Sequence, residues 1–185
     1  MPLNPATVLD AAVALLDETG LDELSTRKLA DRLGVRVGAL YWHYANKQAL
    51  LDAIAERILA DAMAGVARAK AVCPIEAWQD DVICFAHAHR DAMLAHPDGA
   101  RVIATMSAPG PVALEFIGQL IGALGAAGMP GPDAEACADV VTSYVNGFTI
   151  EEQARRTSVP RALRDTAFTT GLSVVVDGLA VRTTR

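Results

Sequence analysis

Residues 26–44, TRKLADRLGVRVGALYWHY, gather cationic, aromatic and hydroxyl side chains into one short stretch. Between residues 26 and 48, Arg27, Lys28, Arg32, Arg36 and Lys47 face Asp31 alone, although the 185-residue chain carries a net charge of −6. Such groups hold phosphate oxygens, and a guanidinium can also read a base edge through two hydrogen bonds. The negative net charge excludes a basic coat over the whole molecule, so any contact with nucleic acid must come from this local patch. Tyr41, Trp42 and His43 are consecutive, and consecutive helical positions point about 100° apart. They cannot all enter one core, so some of these polar-tipped rings face outward, where they suit a sugar-phosphate edge.

A second group with chemical potential is His87, His89 and His96. A metal-dependent helical enzyme would need such side chains to converge, but His87 and His89 lie two positions apart, on different helix faces. No Glu-x-x-His pair accompanies them. The chain also lacks a glycine-rich phosphate loop, a nucleophile elbow and a CxxC pair. The reading is therefore no enzyme, no cofactor and no metal, with the histidine-metal enzyme as the rival. Trp78, Phe85, His89 and His96 share one stripe at three-four spacing. His89 is either a core histidine or a pocket-lining one. His96, beside Pro97, is expected to satisfy a helix-end carbonyl, and His87 to be solvated. Cys73, Cys84 and Cys137 are odd in number and scattered, which reads as reduced, mostly buried thiols. The start MPLNPATV lacks a signal-peptide layout, and no run approaches the ~20 apolar residues of a membrane span. A soluble, cytoplasmic protein with no membrane contact is expected.

The elements that must position these residues are all helices. With 52% apolar and only 5% aromatic residues, the core must be built mainly from Ala, Leu, Val and Ile, at helical spacing. Asn4-Pro5 starts a first helix and Gly20 ends it; Ser25 caps a second and Gly34 ends it. A short third helix covers 37–43, and Asn46 caps a long fourth with an apolar stripe from Leu50 to Ala62. The pattern restarts after Cys73-Pro74. A short helix or turn covers 100–107, another helix follows Pro109-Gly110-Pro111, Asp133 caps one running to about 156, and a last runs from about 160 to 182. The fold class is all-α.

Two short helices joined by a glycine turn are the layout of the DNA-binding helix-turn-helix. Ala30 is small where the second helix crosses the third, Gly34 turns the chain, and Val35 and Leu40 bury beneath the crossing. The segment resembles the TetR family of bacterial regulators through Thr26-Arg27, Leu29-Ala30, Leu33-Gly34-Val35, Leu40-Tyr41-Trp42-His43 and Asn46-Lys47. A looser likeness continues through Trp78-Gln79-Asp80, Leu94-Ala95-His96, Asp98-Gly99-Ala100-Arg101-Val102 and Glu151-Glu152-Gln153.

The resemblance implies a DNA-binding head over 1–47 and an effector-binding, dimerising body over 48–185. It places Thr26, Tyr41, His43 and Lys47 on phosphates and Arg27 on base edges, with Arg36, Val37, Gly38, Ala39 and Trp42 completing the DNA-facing set. The tetracycline-sensing branch of the family has Gln-Pro-Thr where this chain has Val37-Gly38-Ala39. Only apolar contacts and a close backbone approach remain there. That branch anchors a magnesium–drug chelate with imidazoles at positions that are Ile103 and Met63 here, and its Asn and Phe fall on Phe85 and His89. Ile and Met cannot hold a hard, oxygen-bound cation. The expectation is a homodimeric repressor of a palindromic double-stranded DNA operator. Its release is by a small, largely apolar effector that meets Met63, Trp78, Phe85, His89, Ile103, Asn146 and Glu151, with no response to tetracycline. A ligand-independent DNA-binding activator is the other alternative. For the dimer surface the sequence offers Ala138, Thr142, Asn146 and Gly147 with Gly171, Val175, Gly178 and Leu179.

Overall fold

The computed structural model describes residues 3–72, 77–155 and 159–183, and among these the chain is nine α-helices with no strand. The head is α1 (Pro5–Thr19), α2 (Thr26–Leu33) and α3 (Val37–Leu40). The long α4 (Lys47–Val72) leads into a body of α5 (Trp78–Leu94), α6 (Gly99–Ala104), α7 (Pro111–Ala126), α8 (Gly131–Ala154) and α9 (Arg161–Thr183).

Local chemistry sets most of these limits. Side-chain oxygens of Asn4, Ser25 and Asn46 accept from the backbone N–H of Thr7, Lys28 and Ala49 at 2.8, 3.2 and 2.8 Å, each satisfying a donor that the first turn leaves unpaired. Gly20 (φ +78°) and Gly34 (φ +66°, ψ +30°) end α1 and α2 in conformations that a Cβ disfavours. Three boundaries differ from expectation. The third helix stops at Leu40 and residues 41–43 form a turn. The short helix of the body covers 99–104 rather than 100–107. α8 begins two residues before Asp133, at Gly131, because Pro132 needs no N–H partner in a first turn. Cys73, Pro74 and Ile75 lie outside the described residues; Cys137 is buried and Cys84 half-buried, both as free thiols.

One apolar core runs from head to body. Leu50, Ile54, Ala55, Ile58 and Ala62 of α4 belong to one buried cluster with Val8, Leu16, Leu29 and Leu40 of the head and Val82, Phe85 and Met93 of the body, and α4 packs against α1 in the head and α5 in the body. Through this core sits a buried ionic group. Arg90 on α5 donates to Glu152 on α8 at 2.8 and 2.9 Å and to Asp165 on α9 at 2.7 Å. Arg164 also donates to Glu152, at 3.0 Å, and the Arg90 guanidinium lies 4.8 Å from the Phe168 ring centre. Two buried charges are tolerated only when fully paired, as here. Glu152→Ala removes the one buried partner of Arg90 and leaves its buried cation only the half-exposed Asp165, so urea denaturation should show a loss of about 3 kcal/mol in unfolding free energy. Arg90→Met combined with Glu152→Met should lose much less.

Candidate functional site

The outward face of the head is set by the short α2–α3 unit. Leu29, Ala30 and Leu40 are buried beneath it, which leaves Arg27, Arg36, Gly38 and Lys47 exposed and Thr26, Val37, Ala39 and His43 half-buried. Tyr41 is 48% and Trp42 89% exposed, so both large rings stand in solvent. Tyr44 turns the other way, and its hydroxyl donates to the Pro5 carbonyl at 3.1 Å. The head's charge is more balanced than the window 26–48 suggests. Lys28 pairs with Glu23, and Arg32 makes a two-pronged pair with Glu18 at 2.6 and 2.8 Å. Arg32 holds the Glu18 carboxyl below its ordinary range. Within 26–48, the cations for which no ion pair occurs among the described residues are Arg27, Arg36 and Lys47, and all three belong to the expected DNA-facing set.

The head is tied to the body by polar bonds around residues 96–101. Asp98 accepts from the Leu21 N–H at 2.8 Å, Arg101 bridges Asp22 and Asp98 at 2.7 and 3.1 Å, and the His96 ring lies 2.7 Å from Asp17. His96 thus pairs with a carboxylate of α1 rather than with a helix-end carbonyl. Its own carbonyl is satisfied by Gln153, at 2.7 Å. A second set of bonds runs along α4, where Gln48, Asp52 and Glu56 follow each other at four-residue spacing. Gln48 donates to the Thr105 carbonyl at 2.7 Å. Asp52 accepts from the Ser107 N–H and hydroxyl, and Glu56 from the Val112 and Ala113 N–H groups that open α7.

The residues expected to meet an effector are only partly brought together. Phe85 and His89 are buried side by side. Phe116 of α7, which the sequence did not single out, stacks on Phe85 at 4.2 Å and meets the His89 ring edge-on at 4.9 Å. Met63, Trp78 and Ile103 are half-buried against the same core. Both ring nitrogens of His89 and the Oδ1 of Asn146 are buried without a hydrogen-bond partner. Glu151 lies elsewhere: exposed and paired with Arg155 at 3.1 Å, it borders a groove of about 420 Å³ between α8 and α9, beside Tyr144, Phe148 and Leu163. His87 is half-buried rather than fully solvated, because Phe168 of α9 lies against one side of its ring. Its ring meets Phe168 edge-on at 5.2 Å, burial lowers its pKa, and it borders a groove of about 740 Å³ between α4 and α5. The three histidines face three different surroundings, and no metal-binding group of side chains occurs among the described residues.

Comparison with known proteins decides the family. The model of bacterial regulatory proteins of the tetR family matches residues 8–54, and that of the tetracyclin repressor-like C-terminal domain matches 74–164. The Escherichia coli tetracycline repressor class A from transposon 1721 is 40% identical, over 97% of this chain and 92% of its own length. The chain belongs to the TetR family of transcriptional regulators. It is a helix-turn-helix regulator and not an enzyme. A single-substitution variant of TetR from Acinetobacter baumannii AYE, solved with minocycline, superposes with a TM-score of 0.86 at 36% identity, covering 98% of this chain and 99% of that one. BioQ, solved with its natural double-stranded DNA operator, superposes at 0.79 and 38% identity, covering 97% and 99%.

Burial alone lowers the His89 pKa to about 4, well under the 6.5 of a free imidazole. The folded state therefore binds this proton less readily than the unfolded chain. The stability this contributes is complete above pH 6.5 and is lost as the pH falls from 6.5 towards 4. Between pH 7 and pH 5, wild type should lose about 2 kcal/mol more unfolding free energy than His89→Phe, measured by urea denaturation. Equal losses in the two proteins would show that His89 is not held neutral in the fold.

Proposed function

We propose that this TetR-family protein is a homodimeric repressor whose head, residues 1–47, reads a palindromic operator, and whose body, 48–185, senses a small, largely apolar molecule. The observation carrying this reading is that Tyr41 and Trp42 are exposed together with Arg27, Arg36 and Lys47 within the short helix-turn-helix segment. Relatives support it by name, through BioQ with its DNA operator and the Acinetobacter TetR variant with minocycline. Thr26, Tyr41, His43 and Lys47 would hold phosphates, with Trp42 facing the DNA beside them, while Arg27 and Arg36 would supply the hydrogen-bonded base readout. Val37 and Ala39 would offer apolar contact to thymine methyls, and Gly38 would let the backbone come close. The protein would act in the cytoplasm, where its operator lies.

Two heads are needed because one reads too few base pairs, and a dimer spaces them about one helical turn apart. The long α8 and α9 provide the surface, with Val140, Val174 and Val181 exposed along it. Of the positions expected there, Ala138 and Leu179 are already buried within the protomer, and Gly171 is packed under Tyr144. The four-helix contact would therefore form around the outward valines with Gly147 and Gly178.

The effector would be met by Met63, Trp78, Phe85, His89, Ile103 and Asn146, with Glu151 at the α8–α9 groove. Release would follow from linkage: the effector binds better to a conformation whose heads are misplaced for the operator. The bonds from Gln48, Asp52 and Glu56 to 105–113 are the mechanical support for this reading. They fix α4, which leads directly to the head, to the segments that carry Ile103 and Phe116.

In gel-shift titrations over a set of single-base operator variants, Tyr41→Ala should weaken every complex by a similar factor. Arg27→Ala should also flatten the preference among them, by about 1–3 kcal/mol at one base pair. A uniform loss for Arg27→Ala would remove its readout role. Magnesium with tetracycline should leave the operator complex intact, since Met63 and Ile103 offer no ligand to the cation; release at micromolar drug would overturn that part of the reading.

A further inference from the structure

Buried polar atoms without partners are rare, and each costs about 1–3 kcal/mol. On the packed helices α5 and α8, once Asp81 Oδ1 is set aside for its ion pair with Lys70, three remain: Nδ1 and Nε2 of His89 and Oδ1 of Asn146. Neither residue is needed there for packing chemistry, since Phe or Leu would fill the same space at no polar cost. His89 is 2% exposed and its ring is edge-on to both members of the Phe85–Phe116 stack, at 6.1 and 4.9 Å. The two phenyl rings lie 27° from parallel with centres 4.2 Å apart, so they present two near-parallel flat faces with a polar ring along one side.

No charged group accompanies this arrangement. Burial is the sole cause acting on the His89 proton, with no neighbouring charge contributing. Arg90, the next residue, points about 100° round the helix and is committed to Glu152 and Asp165. A carboxylate or cation brought here would be desolvated without a counter-charge. A neutral imidazole offers one donor and one acceptor, and the Asn146 Oδ1 offers an acceptor.

We propose that His89 and Asn146 are the polar readers for an uncharged, flat aromatic effector carrying hydroxyl or ring N–H groups, which enters by parting Phe85 from Phe116. The proposal rests on the effector-sensing reading above and names the ligand chemistry of that site. The effector's aromatic plane takes the place of one phenyl face in the stack. Its hydroxyls satisfy the three atoms that the fold itself leaves unpaired, so polar ligand groups gain more here than they lose from water.

The test uses the full chain and three matched probes: naphthalene, 2,7-dihydroxynaphthalene and 2-naphthoate, measured by calorimetry at pH 7. The diol should bind at least tenfold more tightly than either of the others. In His89→Phe and, separately, Asn146→Leu, the diol's advantage over naphthalene should fall at least fivefold while naphthalene binding is kept. His89→Phe should also melt at a higher temperature than wild type, which guards against a folding defect. Equal affinity for diol and naphthalene, preference for naphthoate, absence of binding by all three, or an undiminished diol preference in both variants would each overturn the proposal. Operator binding by the same preparations is followed in parallel. If it is retained when the diol preference fails, the ligand class falls and the DNA-reading function stands.

Discussion

The corner between α5 and α6 closes only around a glycine: a Cβ on residue 99 would lie 2.2 Å from the Met93 carbonyl oxygen. That closeness exposes backbone groups which must find partners inside the protein, and Gln153 of α8 supplies them. Its amide donates to the Met93 and His96 carbonyls and accepts from the Ala100 N–H. With the inner side of the corner satisfied by α8, its outer side is free to hold the head. Asp98, Arg101 and His96 reach from it to Leu21, Asp22 and Asp17. One of the head's attachments to the body thus depends on one tight turn, fixed from within by a single buried amide.

This arrangement gives the head two separate attachments to the body. One is the corner; the other is α4, whose apolar face is buried along the core from Leu50 to Val66. The first is polar and partly exposed, worth little per bond. The second is apolar and extensive, at about 1.5–3 kcal/mol for each fully buried large aliphatic side chain. A change in the body can shift the exposed polar bonds at small cost, while α4 moves only as a rigid unit. Stability and adjustability therefore reside in different contacts of the same junction.

Much of this is legible in the sequence because it is local. Caps at Asn4, Ser25 and Asn46, the glycines at 20 and 34, and the apolar stripe of α4 each announce themselves within a few residues. The aromatic run 41–43 reads as outward because three neighbouring positions cannot share one core, and Tyr41 and Trp42 do stand in solvent. Pairings across the chain are not legible. His87 reads as solvated, but α9, far along the chain, returns to lay Phe168 against one side of its ring and leaves it half-buried. Phe116 gives no signal by spacing, because nothing in its own helix says that α7 would lie against Phe85. Likewise Lys28 and Arg32 look free until Glu23 and Glu18, outside the motif, fold back on them.

That last pairing narrows what the reading surface can do. With Lys28 and Arg32 neutralised within the head, the proposed base readout would fall to Arg27 and Arg36, at the starts of α2 and α3. Beside them stands Gly38, which the fold does not require. Its backbone is outside the left-handed region, and a Cβ there would meet nothing within 4 Å. Inside a helix glycine costs about 1 kcal/mol relative to alanine, and no internal contact offsets that cost. The missing methyl group therefore makes physical sense only towards the outside, where it lets α3 approach a partner more closely than a side chain would allow. On the proposed reading, a plain Val-Gly-Ala face would be suited to proximity, in which the two arginines would do the discriminating.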